Sequence, residues 1–275
     1  MSETTEAGDE ILELALDLRS WVQVHQGEHA RLTPAGADPV TPPPKPAPPV
    51  QAAPPPPTPP APPALTPREQ DKALPLAASL SELGLQLADC TRCTLHEERT
   101  QVVFGCGSAE AEIVFVGEGP GRNEDLQGEP FVGDAGVLLN RIIENVLGLQ
   151  RSDVYICNVV KCRPPGNRDP QPDEVSTCSP FLWQQLDFLE PVLVVALGRF
   201  AAQTLLQTSE GIGRLRGRAH PFRDAVLLAT YHPAYLLRNP ADKRKVFEDM
   251  KLVRQVFQER TGRDLPDPPQ HGVRS

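Results

Sequence analysis

The chain has 275 residues and a formal net charge of −9, long enough for one or two domains and for a core that folds alone. The charge is polarised: residues 1–30 carry a net −6 and residues 199–245 a net +6, so an acidic protein still offers a basic face to a polyanion. No run of about 18 apolar residues occurs, and the acidic N-terminus reads neither as a spanning helix nor as a secretory signal.

In chain order, Ile11, Leu14, Leu18, Trp21 and Val22 share one face at helical spacing, so residues 9–26 are expected to form an amphipathic helix within an acidic segment, 1–30. That helix either binds a protein partner, docks on the rest of the chain, or frays. Seventeen of the 32 prolines fall between Pro34 and Pro67. Proline lacks the N–H and blocks the preceding turn, so residues 31–70 read as a disordered, polyproline-like linker or as a ligand for a proline-recognition module. A folded domain is expected over 75–262 and a disordered tail over 263–275. A helical pattern from Leu76 to Asp89, with Pro75 at its start, leads into Cys90.

Beyond it, apolar β-branched runs predict buried strands at Glu112–Gly117, Val154–Val160, Val192–Leu197 and Ala225–Thr230. Helical patterns at Asp134–Leu147, Pro172–Leu189, Arg199–Leu206 and Asp242–Thr261 separate or follow them. The alternation predicts an α/β fold: a parallel central sheet of about four strands with helices on both faces. Ligands of such sheets bind beyond the carboxyl ends of the strands, and the loops there hold Glu118–Gly121, Lys161–Asn167 and Tyr231–Pro233.

Six cysteines in a chain with no secretory signature point to a reducing compartment, the cytoplasm by default, and to metal or catalysis rather than disulfides. Cys90 and Cys93 form a close pair, whereas Cys162 and Cys178 lie far downstream and apart. Four thiolates suit zinc or an iron–sulfur cluster, and spacing does not choose between them. Cys106 and Cys157 read as buried small residues, with Cys157 facing away from its neighbour Asn158 on the strand. The segment Gly117-Glu118-Gly119-Pro120-Gly121 follows a strand as a dinucleotide fingerprint would, but Arg122 stands where a third glycine is required.

Four segments in register carry a resemblance: Gly117 to Asp125, Pro130-Phe131-Val132-Gly133, Asn158-Val159-Val160-Lys161-Cys162-Arg163-Pro164-Pro165, and His232-Pro233-Ala234. From about Cys90 to Pro240 the chain resembles the family 4 uracil-DNA glycosylases. The resemblance implies base-excision repair of uracil in single- or double-stranded DNA, by a monomer. It also implies a 4Fe–4S cluster on Cys90, Cys93, Cys162 and Cys178. Asn158 would pair with the uracil edge, since an amide offers a donor and an acceptor side by side. Phe131 would stack on a base rotated out of the helix, and His232 would donate to the anion developing at uracil O2. Gly119 stands in the pocket loop where another branch of the superfamily carries a water-orienting aspartate. Glu118 and Glu124 are the carboxylates left to position water or to close the pocket against the thymine methyl group.

For DNA contact the expectation falls on Arg214, Arg216, Arg218 and Arg238 for phosphates, and on Leu236 or Leu237 to fill the gap left by the base. Rival readings are a relative acting on other deaminated bases, and a non-catalytic iron–sulfur DNA-binding protein. Covalent trapping is disfavoured, because the loop after Lys161 reads Cys-Arg-Pro-Pro-Gly-Asn-Arg rather than Lys-Arg-Arg-Ile-His.

Overall fold

A computed structural model describes residues 77–269; the acidic helix, the proline-rich linker and Pro75 lie outside the described residues. Six strands form one sheet in the order β1-β3-β2-β4-β6-β5. They are β1 (Cys106–Gly107), β2 (Ile113–Gly117), β3 (Tyr155–Asn158), β4 (Leu193–Leu197), β5 (Ala219–Phe222) and β6 (Ala225–Thr230). The four predicted strands are the parallel centre, β3-β2-β4-β6. The two that sequence reading missed, β1 and β5, pair antiparallel at the edges. Both are short, and β5 contains Pro221, a residue a sheet tolerates at an edge, where its missing N–H goes unused.

Period-two alternation sorts each central strand between two cores. Val114, Val116, Tyr155, Cys157, Val194 and Ala196 face one; Ile113, Phe115, Ile156, Leu193, Val195 and Leu197 face the other. The first core is covered by α1 (Leu80–Leu87), α4 (Pro172–Leu189), α5 (Arg199–Leu206) and α6 (Ile212–Leu215). The second is covered by α3 (Asp134–Ile142, continued as a π turn to Leu147), α7 (Pro233–Arg238) and α8 (Lys243–Thr261). A short α2 (Arg122–Gln127) follows β2. The chain steps from β2 outward to β3 through α3, then back across β2 to β4 through α4. Right-handed crossovers taken in opposite directions place those two helices on opposite faces. The crevice this reversal opens lies at the carboxyl ends of the central strands.

Two expectations change. The first helix starts at Leu80 rather than near Pro75, because Ser79 Oγ accepts the Glu82 N–H and so provides the cap. The segment after Gly262, expected to be a loose tail, packs at its start. Leu265 is buried in the second core, and Arg254 donates to the Leu265 and Pro266 carbonyls. Among the described residues no helix is long and apolar enough to cross a membrane.

Candidate functional site

At the end of β2, Gly117 sits beside Asn158, the last residue of the neighbouring β3. A methyl group added at Gly117 would lie 2.7 Å from Phe131 Cζ and would collide with Asn158 Oδ1, so only glycine leaves those two side chains in place. Asn158 is 1 % exposed, and its Oδ1 has no hydrogen-bond partner among the described residues. A buried unpaired carbonyl costs on the order of 1–3 kcal/mol, so its retention points to a ligand that completes it. Cys157 faces the opposite core, as its place on the strand predicts.

Phe131 is buried, with a φ of 53°, a left-handed backbone that few side chains adopt without strain. Its loop is held from both sides. Glu124 accepts the N–H groups of Val132 (2.9 Å) and Gly133 (3.1 Å) with Oε1, and that of Gly121 (3.1 Å) with Oε2. Arg151 donates to the Pro130 carbonyl at 2.6 Å and to Asn140 Oδ1 at 2.9 Å. Both oxygens of Glu124 are thus committed to the backbone around Phe131, which argues against its expected part in orienting water or screening the base.

His232 caps α7. Its Nδ1 accepts the Ala234 N–H at 3.1 Å, which leaves the proton on Nε2 as a donor. The ring stands 5.5 Å from the Phe131 ring, tilted by 31°. Burial, with Arg238 adding to it, pushes the imidazole down to about 4, against the weaker pull of Glu124, so the ring is neutral at pH 7. Gly198, at the end of β4, has φ 91°, and a Cβ there would come within 2.9 Å of His232 Cβ; the glycine lets the two loops meet.

The carboxyl of Glu118 has no hydrogen-bond partner among the described residues. Burial and the nearby Asp169 raise it to about 7, opposed by Arg199. A Cβ on Gly119 would meet Val160 Cγ2 at 2.7 Å, so the backbone here approaches β3's extension too closely for a side chain to be added without displacement.

Cys90, Cys93, Cys162 and Cys178 line one cavity, together with Arg92, Arg99, Lys161 and Phe181. Cys90 and Cys93 follow α1, Cys162 follows β3, and Cys178 lies in α4. Arg168 pairs with Glu174 at 2.6 Å, and Thr94 reaches the same carboxylate at 3.4 Å, which ties the Cys93 turn to the start of α4. Two donors point at sulfur: Arg99 Nη1 to Cys162 Sγ (3.2 Å) and the Lys161 N–H to Cys178 Sγ (3.3 Å). Burial pushes the Cys178 thiol up to about 12, with Lys161 acting against it. No group of three metal-binding side chains among the described residues is drawn tightly enough to hold one ion. Four thiols around one cavity, with donors aimed at two of them, are the donor set of a thiolate-held inorganic centre.

The basic segment divides. Arg214 and Arg238 are exposed, and so is Arg218, which pairs with Glu210 at 3.2 Å. Arg216 is half-buried, its side chain 18 % exposed. It holds the buried Asp249 with two nitrogens (3.1 and 2.7 Å) and lies over the Tyr231 ring, so the expectation that it meets phosphate is withdrawn. Leu236 is 1 % exposed and belongs to the second core, whereas Leu237 is 37 % exposed; only the latter is available to enter a duplex. Sequence reading did not single out Arg151 or Lys161. Their importance comes from burial and from partners far along the chain.

The Uracil DNA glycosylase superfamily model matches residues 104–251. Type-4 uracil-DNA glycosylases are among the similar proteins. That of Thermotoga maritima is 44 % identical over 172 residues, 61 % of this chain and 89 % of that protein. That of Archaeoglobus fulgidus is 43 % identical over 186 residues, 65 % of this chain and 93 % of that protein. That of Sulfurisphaera tokodaii is 42 % identical over 186 residues, 65 % of this chain and 84 % of that protein.

Proposed function

The chain belongs to the type-4 branch of the uracil-DNA glycosylase superfamily, and we propose that it hydrolyses the N-glycosidic bond of uracil in DNA through the pocket of Gly117, Phe131, Asn158 and His232. The observation that carries this reading is the buried amide of Asn158 with its unpaired Oδ1. Oδ1 accepts uracil N3–H and Nδ2 donates to O4, a pairing that cytosine, with a donor at position 4 and no N3 proton, reverses. Phe131 offers its ring to the face of a base rotated out of the stack.

In the reaction the bond between N1 and C1′ breaks, its electron pair leaves with uracil, and water adds to C1′. Charge gathers on uracil O2, where the Nε2–H of the neutral His232 donates. A fixed donor that meets charge only as the bond breaks lowers the barrier without tightening the ground state. Glu118 is the carboxylate left to face the sugar. Its ionised form favours the developing cation and takes the proton of the attacking water.

Cys90, Cys93, Cys162 and Cys178 fit a 4Fe–4S cluster, held as four thiolates with Arg99 and the Lys161 N–H donating to sulfur. When bound it supplies a fixed anionic cross-link between α1, the loop after β3 and α4. Arg214, Arg218 and Arg238 support the phosphate backbone, and Leu237 supports the gap left by the base. The folded unit from Ala77 onward carries every residue of this scheme, and residues 1–70 are dispensable for it.

The test is incubation with an oligonucleotide containing one uracil, followed by alkali cleavage at abasic sites. Strand scission at uracil alone supports the reading. Equal cleavage at hypoxanthine would move the protein to the broader-substrate reading, and no cleavage of either would sink it.

A further inference from the structure

Lys161 is 1 % exposed, and no carboxylate pairs with it among the described residues. Its Nζ donates to the main-chain carbonyl of Asn158 at 2.7 Å and to Gln185 Oε1 on α4. Its own N–H lies on Cys178 Sγ at 3.3 Å, and its carbonyl accepts from Val103 N at 2.8 Å. Gln185 is oriented in turn: its Nε2 donates to the Phe104 carbonyl at 2.9 Å and to the Tyr155 hydroxyl at 3.3 Å, which turns its oxygen toward Lys161. A buried amino group persists only where hydrogen bonds compensate its desolvation, and two carbonyls, those of Asn158 and of the Gln185 side chain, supply them.

One residue therefore touches both halves of the molecule. Its backbone is fixed by the cysteine centre, and its side chain reaches back three residues to the peptide that carries the base-reading amide. The Asn158 side chain is held on its face of the sheet by the backbone on either side of it. The preceding side is set by pairing with Gly117 on β2, and the following side by Val159 N on the Gly117 carbonyl (3.0 Å) and by Lys161 Nζ.

We infer that Lys161 is a positioning residue that couples the cysteine centre to base recognition, by anchoring the Asn158 peptide to the segment that ligates through Cys162 and Cys178. The inference rests on the proposed roles of Asn158 and of the four cysteines. It accounts for a lysine, rather than an apolar residue of equal size, at a place where burial alone would favour the latter.

The experiment uses the full-length, iron-loaded protein and two duplexes. One carries a 2′-fluorinated deoxyuridine, whose electron-poor sugar resists cleavage; the other carries thymidine at the same position. Lys161→Met keeps the volume and removes the donor. Lys161→Gln, which retains an amide donor on a shorter side chain and leaves Gln185 with its contacts to Phe104 and Tyr155, is the second variant if Lys161→Met is too unstable. In both, visible absorption and cooperative melting are followed beside the two affinities.

The expected result is that the preference for the fluorinated uracil duplex over the thymidine duplex falls by roughly 10- to 100-fold, the equivalent of one or two misplaced hydrogen bonds. Affinity for the thymidine duplex should stay as in wild type, and Lys161→Gln should be the more stable of the two variants and still lose the preference. A wild-type preference in either folded variant overturns the inference, as does a parallel loss of both affinities that tracks melting temperature. Asn158→Ala is run beside them: if it keeps the uracil preference, the proposed recognition itself fails, whatever Lys161 does.

Discussion

Replacing His232 separates the chemistry from the fold most cleanly, because its two ring nitrogens do different work. Nδ1 accepts the Ala234 N–H and caps α7, which leaves Nε2–H for the proposed donation to uracil O2. His232→Ala removes both, and His232→Asn keeps an oxygen able to cap while withdrawing the distal donor. Loss of a cap costs about 1 kcal/mol of stability. Loss of a donor to a developing oxyanion costs roughly 10²–10³ in rate. Alanine is therefore expected to lower both stability and the single-turnover rate, and asparagine to restore stability while the rate stays low. Binding to the fluorinated uracil duplex should change little in either, since the charge at O2 does not exist in the ground state. The pH profile is a second arm. The folded imidazole sits near 4 against an ordinary 6.5, so the neutral ring is the active donor and the rate owes nothing to an imidazolium lost above pH 6.5. The unfolded chain takes up this proton first on acidification. The stability the neutral ring contributes is thus full above pH 6.5 and is lost as pH falls through about 4. Single-turnover quench kinetics and melting across pH 4–9 measure all of this. A His232→Asn variant that cuts at wild-type speed refutes the leaving-group argument, and so does a Glu118→Gln variant whose rate falls as pH rises from 6 to 7.5, as the loss of an imidazolium would make it.

Glu118, raised to about 7, is expected to give a rate that climbs as pH rises through that value, and Glu118→Gln a slow and flat profile; an unchanged slope in the variant assigns the titration elsewhere. Its stability sign is opposite to that of His232: the neutral carboxyl contributes below pH 4.5, and the contribution is lost as pH rises through about 7, which melting of the same variant checks. Gly117→Ala should keep the fold yet lose uracil affinity, because the new methyl group meets Phe131 Cζ at 2.7 Å; titration of the fluorinated duplex reads this directly. Leu236→Ala should cost about 2–5 kcal/mol in urea unfolding, and Leu237→Ala almost nothing there but a slower excision from duplex than from single strands. Purified protein should absorb broadly in the visible range and lose that colour in Cys178→Ala; zinc without iron under anaerobic purification would end the cluster assignment.

The sequence made the centre of the fold legible, because the physics there is local. Each parallel strand is buried on both faces, so Ile113–Gly117, Leu193–Leu197 and Ala225–Thr230 stand out as apolar runs, and α4 announces itself with Pro172 at its first position and Glu174 reaching back to the Gln171 N–H. The edge strands β1 and β5 carry no such run and exist only through pairing with a neighbour. In the site, glycines, Asn158, Phe131 and His232 were readable from motifs in register. What could not be read was the state of each group. Leu236 and Leu237 are adjacent and chemically alike, and only the packing of α7 on α3 and the second core decides that one is core and the other surface. Arg216 looked like its neighbours Arg214 and Arg218, yet Asp249, 33 residues away, claims it. Glu124 and Glu118 were indistinguishable acids until the backbone around Phe131 closed on one of them.

The same reasoning explains why the pocket is built from unfavourable parts. A left-handed Phe131 costs on the order of 1–3 kcal/mol, and the unpaired Asn158 oxygen a similar amount. Neither would survive on a free loop, where φ would relax and the amide would turn to water. They persist because their neighbours leave no alternative. Glu124 and Arg151 fix the peptide groups on either side of Phe131, and Gly136 makes room for its carbonyl. Lys161 and the β2 pairing fix the peptide of Asn158. The anchors themselves are polar groups bonded both to backbone and to neighbouring side chains, so they cannot be exchanged for apolar residues without releasing what they hold. Phe131→Gly relieves the backbone strain but gives up the buried ring, whose loss costs about 3–5 kcal/mol against the roughly 1–3 kcal/mol of strain relieved, so thermal melting should show a net loss of stability together with loss of uracil capture. A Phe131→Gly variant that melts at or above the wild-type temperature would show that the strain, not the ring's burial, dominates at this position.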